Sequence, residues 1–271
     1  MAKLALAEGL QIGYEEHGNG HPLVLIPGTA VDHTVFFPGE QVPTFAKHHR
    51  VIALDHRGTG ESTRPDSDYG SGDLVDDVIR ALDVLEIERC HLLGLSMGST
   101  IAMQVAARRP EKVSALVLWH PWARTDEFLR RMFLIWRYLY AEADADFFGQ
   151  ATLWWILSRP FILQQPQVVD GIAHDVFAGP NAPDRRDYVR HVDINLSHDA
   201  RALLPSIAAP TLVISGEDDR VIPSGYSREV AESIPTATFH LLTGPGSSHG
   251  SFLERATDMN TLTLDFLQTQ S

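Results

Sequence analysis

Cysteine is almost missing from this 271-residue chain, with a single residue at Cys90. An internal disulfide is therefore excluded, and the composition suits a reducing compartment, so a cytoplasmic location is expected. Basic residues are scarce too: 22 Lys and Arg stand against 35 Asp and Glu, a net charge of −13. Such a balance repels nucleic acid and anionic membrane, and neither is an expected partner. No uncharged apolar run reaches the ~18 residues that a membrane helix requires. The nearest, Met132 to Tyr140, is short and contains Arg137. The opening MAKLALAEGLQ has no basic stretch followed by a long apolar one, so no signal peptide is expected. Repeats and low-complexity tracts are missing. There is no H-E-x-x-H and no Cys/His cluster, hence no expected metal. There is no G-x-x-x-x-G-K-[ST], and Gly28, Gly58, Gly60 and Gly94 do not compose G-x-G-x-x-G after the first strand, so no cofactor is expected.

What is present fits a soluble globular protein. The apolar share is 44% and the charged share 21%. Leu10 to His17 alternates and ends at a Gly18-Asn19-Gly20 turn, which predicts a strand. Leu23–Ile26, Arg50–Asp55, His91–Gly94, Ala115–Trp119 and Thr211–Ser215 are short apolar runs of the kind buried on both faces in a parallel sheet. Between them lie helical patterns. Asp73 to Leu85 puts Leu74, Val78, Leu82 and Leu85 on one face, and Ser99 to Arg109 runs up to Pro110. Alternation of this kind predicts an α/β fold, a doubly wound and mostly parallel sheet, with its chemistry at the carboxyl ends of the strands. From 121 to 201 the rhythm breaks, and helical spacing rich in aromatics replaces strands. We expect a helical insertion there, packed as a cap over strand ends formed by a core of residues 1–120 and 202–271. Most of its aromatics, Trp136, Trp154 and Trp155 among them, are expected to form its own core. Trp119 and Trp122 flank the exit of a core strand and are expected to line the pocket, with His120 between them and Gly28 nearby.

The stretch Gly94-Leu95-Ser96-Met97-Gly98 carries the chemistry. An apolar run stops, a serine stands between two glycines, and a helix pattern starts at once. This is the layout of a nucleophile elbow, whose tight turn needs the glycines; a serine that merely caps a helix would share part of the pattern. A serine hydroxyl is a weak nucleophile that needs a base, an orienting acid and oxyanion donors. After Thr211–Ser215 comes the acidic loop Gly216-Glu217-Asp218-Asp219-Arg220, which offers Asp219, with Asp218 second. After Thr238–Leu242 comes a Gly/Ser-rich loop with His249 ahead of a terminal helix pattern. The order Ser, Asp, His selects His249 among 13 histidines; His120 and His174 are pocket or structural residues in this reading. The oxyanion donors are expected to be the backbone N–H of Met97 and that of Thr29, in the loop Pro27-Gly28-Thr29-Ala30.

These segments together resemble the α/β-hydrolase superfamily: Ile26-Pro27-Gly28-Thr29, Asp55-His56-Arg57-Gly58-Thr59-Gly60-Glu61-Ser62, Gly94 to Gly98, Gly216 to Arg220, and His249-Gly250-Ser251-Phe252. The resemblance implies an α/β-hydrolase fold with a catalytic triad of Ser96, Asp219 and His249, the acid falling at the fourth place of a G-x-x-D loop. A narrower likeness, carried by Asp55 to Gly60 and by the stretch from Trp122 through Arg137, points to the branch holding the aminoacrylate hydrolase of pyrimidine breakdown and the enol-lactone hydrolases of aromatic degradation. It implies a small ester, lactone or amide as the small-molecule partner. Two departures stand out: Pro27-Gly28 where the family often has His-Gly, and a base approached through Gly244-Pro245-Gly246-Ser247-Ser248 rather than G-x-G-H. The expected reaction is hydrolysis through an acyl-enzyme on Ser96. The same elbow also serves perhydrolysis, C–C bond hydrolysis, acyl transfer and slow ligand-sensing proteins. The aromatic insertion predicts a largely apolar acyl site, and Arg124, Arg130 and Arg131 are available to meet a substrate carboxylate.

Overall fold

A computed structural model describes residues 2–179 and 182–270. Met1, Pro180, Asn181 and Ser271, which fall within the stretches assigned above to core and insertion, lie outside them. Eight strands form one sheet: β1 (Ala2–Ala7), β2 (Leu10–His17), β3 (Pro22–Ile26), β4 (Arg50–Leu54), β5 (Cys90–Leu95), β6 (Val113–Trp119), β7 (Thr211–Gly216) and β8 (Ala237–Leu242), in the spatial order β1-β2-β4-β3-β5-β6-β7-β8. The pairings β1–β2 and β2–β4 are antiparallel and all the others parallel. The five expected apolar runs are the adjacent strands β3 to β7, and each is buried because helices cover both faces. β1 has no counterpart in the sequence expectations. Its Ala-rich segment has weak strand propensity, and it forms by pairing with β2.

Two apolar layers sandwich the sheet. One gathers α2 (Ser71–Val84) and α3 (Met97–Arg108), with Leu74, Val78, Leu82 and Ile101 buried against Val24, Ile52 and Leu92. The other holds α1 (Gln41–Phe45) and, beyond the short α10 (Ser251–Glu254), the C-terminal α11 (Ala256–Gln268), packed on Leu23, Leu93 and Ile214. Strand residues alternate between the layers with period two. Leu85, expected on the buried face of α2, lies just past its end and is half-buried. A further helix, α9 (Ser224–Ser233), links β7 to β8.

Between β6 and β7, among the described residues, stand five α-helices: α4 (Glu127–Glu142), α5 (Ala145–Ile156), α6 (Arg159–Gln164), α7 (Pro166–Phe177) and α8 (Arg185–Leu196). Asp126, Asp144, Ser158 and Asp184 cap four of them with side-chain acceptors, the polar punctuation that starts a helix after a loop. The inserted helices are welded to the sheet by shared packing: Trp122, Leu129, Phe133 and Tyr188 belong to the same apolar cluster as Val24 and Leu118. Among the described residues no helix is long and apolar enough to cross a membrane.

Candidate active site

The loop between β5 and α3 holds Ser96 in a forced conformation. Its φ is +53° and ψ −117°, a combination that a non-glycine residue adopts only when its surroundings impose it. The surroundings do so: Ser96 N donates to Trp119 O at 2.8 Å, and the Ser99 hydroxyl reaches Gly94 O at 2.6 Å and Trp119 O at 2.9 Å. A Cβ on Gly98 would collide with Ile26 O, and one on Gly94 with Gly98 itself, so the flanking glycines are required by close approach.

Ser96 Oγ lies 3.1 Å from His249 Nε2, and His249 Nδ1 lies 2.8 Å from Asp219 Oδ2. In this line the hydroxyl donates to Nε2 and the Nδ1–H donates to the carboxylate, the tautomer a general base needs. Asp219 is buried, whereas Asp218 is exposed. Asp219 Oδ1 accepts from the N–H groups of Val221 and Ile222, both at 2.8 Å. Burial alone would raise this carboxyl. The charge of His249 and hydrogen bonds from His120 and His249 more than reverse that and hold it below the usual carboxylate range.

The lengthened loop before His249 is pinned at several points. Ser248 Oγ donates to Glu254 at 2.7 Å, Ser158 N donates to the same carboxylate at 2.8 Å, and Gly250 N donates to Ile156 O at 2.9 Å. The base is therefore held in part by α5 and α6. Across the cleft, the Thr29 and Met97 N–H groups donate no hydrogen bond among the described residues, and a Cβ on Gly28 would stand 3.6 Å from Ser96 Cβ. Two residues of α8, which the sequence reading did not single out, brace this loop. His191 Nδ1 accepts from Ala30 N at 3.1 Å while its Nε2 donates to Arg57 O at 3.0 Å, and Asn195 Nδ2 donates to Thr29 Oγ1 at 2.8 Å. His56 Nε2 donates to Pro27 O at 3.0 Å from the other side. Burial keeps both rings neutral, His191 at about 3 and His56 at about 4. The i, i+4 spacing of His191 and Asn195 was the only available signal.

Ser96 and His249 open onto a cavity of about 700 Å³. Gly28 and Thr29 line it, together with Trp136, Leu153, Ile156, Val176, Phe177 and Phe252. Trp119, His120 and Trp122 do not line it, which corrects the sequence expectation. As the last residue of β6, Trp119 points into the layer of Leu23 and Leu95. Trp122 packs beneath α4 against Phe133 and donates its indole N–H to Thr125 Oγ1 at 3.0 Å. His120, at φ +54°, turns inward behind the triad. Its Nδ1 lies 2.8 Å from Asp219 Oδ2, in a contact bent off the N–H axis, and its Nε2 lies 3.0 Å from Ser251 Oγ. The tryptophan that does line the cavity is Trp136, from the insertion. Arg124, Arg130 and Arg131 are exposed and outside the cavity, the last two facing Glu127 on the outer side of α4.

Among the described residues one grouping has the spacing of metal ligands, namely His120, Asp219 and His249. Both rings share Asp219 Oδ2 and Oδ1 is bonded to backbone, so the atoms of this grouping are engaged with one another.

Comparison with known proteins follows the same lines. A family profile described as "alpha/beta hydrolase fold" matches residues 21–256. The chain belongs to the α/β hydrolase fold family. A protein of Azorhizobium caulinodans named as a carbamate hydrolase, RutD, is 30% identical over 83% of each chain. The enol-lactonase of Burkholderia xenovorans LB400 superimposes with a TM-score of 0.88 at 28% identity, covering 97% of this chain and 99% of the other. Est816, described as an N-acyl homoserine lactone degrading enzyme, gives 0.81 at 26% identity over 98% and 100%. These relatives fit the aminoacrylate and enol-lactone branch. This α/β hydrolase is an enzyme of hydrolytic type.

Proposed function

We propose that this α/β hydrolase cleaves a small carboxylic ester, lactone or amide through an acyl-enzyme on Ser96. The observation that carries this reading is the unbroken line Ser96–His249–Asp219 at the floor of a cavity. In it, His249 takes the Ser96 proton as Oγ attacks the carbonyl, and Asp219 fixes the imidazole and stabilises its charge. The Thr29 and Met97 N–H groups stabilise the oxyanion. His249 then returns the proton to the leaving group and activates the water that releases the acyl group. Residues 121–201 act as a cap that supplies the acyl walls and limits water. Esters and lactones need less leaving-group protonation than amides and are the favoured substrates.

A fluorophosphonate reagent provides the test, because it reacts only with an activated serine. The intact protein is expected to gain one adduct and Ser96→Ala none, by intact-mass measurement. Equal labelling of the two proteins would end the proposal.

A further inference from the structure

Charge around the cavity says which acyl groups it accepts. Among the described residues its lining holds two aspartates, Asp32 and Asp175, and neither lysine nor arginine. Three arginines of the insertion are committed elsewhere: Arg137 bonds Asp193, Arg185 bonds the carbonyls of Ala141 and Ala143, and Arg190 bonds Asp187 and Pro65 O. The Tyr188 hydroxyl, in the cavity wall, is kept protonated because burial pushes its pKa well up. It offers a neutral donor and no positive charge. Asp175 is exposed on α7, at the outer end of the lining.

A carboxylate carried on the acyl group thus meets apolar wall if it points inward and Asp175 if it points outward. Burying an unpaired carboxylate is strongly unfavourable, and a like charge adds to the penalty. An alkyl chain instead replaces water along Leu153, Ile156 and Phe177.

We infer that the cavity selects neutral esters and lactones with an apolar acyl chain and rejects acyl groups that carry a carboxylate. This inference rests on the proposed hydrolysis at Ser96. It also separates this chain from any branch member that acts on a carboxylate-bearing compound such as aminoacrylate, because that task needs a cation in the pocket.

A matched pair of eight-carbon substrates tests it: methyl octanoate and monomethyl suberate, followed in a pH-stat. For the octanoate ester kcat/KM is expected to be at least ~100-fold higher. Along the straight-chain methyl esters from acetate upward, kcat/KM is expected to rise roughly fourfold per methylene until the cavity fills. Asp175→Lys is expected to narrow the octanoate-to-suberate ratio severalfold by improving the suberate alone. Equal or better turnover of the suberate overturns the inference while leaving hydrolysis at Ser96 standing. If neither ester turns over, the hydrolytic reading fails by itself, and calorimetry on Ser96→Ala still decides the inference. Tighter binding of methyl octanoate than of monomethyl suberate supports it, and the reverse overturns it.

Discussion

His120 stands directly after β6, at a strand end that offers no carboxylate, and it leans on the carboxylate of the next strand end. Its ring centroid is 4.8 Å from that of His249, and both rings reach the same oxygen of Asp219. Burial lowers the His120 pKa, so it faces Asp219 as a neutral ring that supports the negative charge without neutralising it. It touches no cavity surface and acts as a positioning residue. His120→Leu removes the support and puts a bulky side chain at positive φ. Steady-state kinetics on a short-chain ester is expected to show kcat about tenfold lower with KM little changed. His120→Asn, which tolerates this backbone and keeps a donor, is expected to restore most of the loss. An unchanged kcat in the leucine variant would show that Val221 and Ile222 suffice to hold Asp219.

At the scale of elements, α8 links the insertion to the oxyanion loop. The loop after β3 has no regular structure of its own, and His191 and Asn195 on one face of α8 set its path. On the proposed mechanism the insertion shapes the reaction as well as the pocket. Loss of a whole oxyanion donor typically costs 10²–10³ in kcat, and misplacing one through its loop costs less. Asn195→Ala is accordingly expected to lower kcat about tenfold, with a thermal midpoint within a few degrees of the parent. A fall in KM alone, or no kinetic change, would place the Thr29 loop under the control of the core.

Across the whole molecule, buried neutral histidines set the response to acid. Burial lowers His91 and His191 to about 3, and His56 and His198 to about 4. Unfolded, each titrates near 6.5. Between those limits the unfolded chain binds more protons, so stability falls as pH drops below about 6.5, by up to ~1.4 kcal/mol per pH unit per ring. His33 opposes this. Burial lowers the His33 pKa, but Asp55 outweighs it and raises it overall. The stability from that pair is full below about 6.5 and is lost as pH rises through the raised value. Urea midpoints are expected to drop steeply from pH 6.5 to 4.5, and His91→Gln is expected to flatten the slope. A midpoint independent of pH over that range would mean that these rings charge without unfolding. Cys90 contributes no redox response, being buried with its thiol pushed up to about 12.

The central strands, the turn at Ser96, the chain order of Ser96, Asp219 and His249, and the helical stretch after β6 were legible in the amino-acid order, because each depends on local requirements. A buried parallel strand must be apolar throughout, an elbow must have small residues at its close approaches, and a triad on this sheet must follow the order of strand ends. Asp219 over Asp218 came from the likeness to a G-x-x-D loop, and folding added its reason, one carboxylate buried between two rings and the other in solvent. Folding alone decided which face each side chain took. Trp119 and Trp122, adjacent to the strand exit, went into the core, while Trp136 from the insertion reached the cavity. Arg130 and Arg131 turned outward, leaving the pocket without a cation. His120, His191 and Asn195 gained their roles from residues 99, 161 and 166 positions away in sequence. Periodicity carries local burial, but it holds no record of contacts between segments so far apart, and those contacts set the specificity of the site.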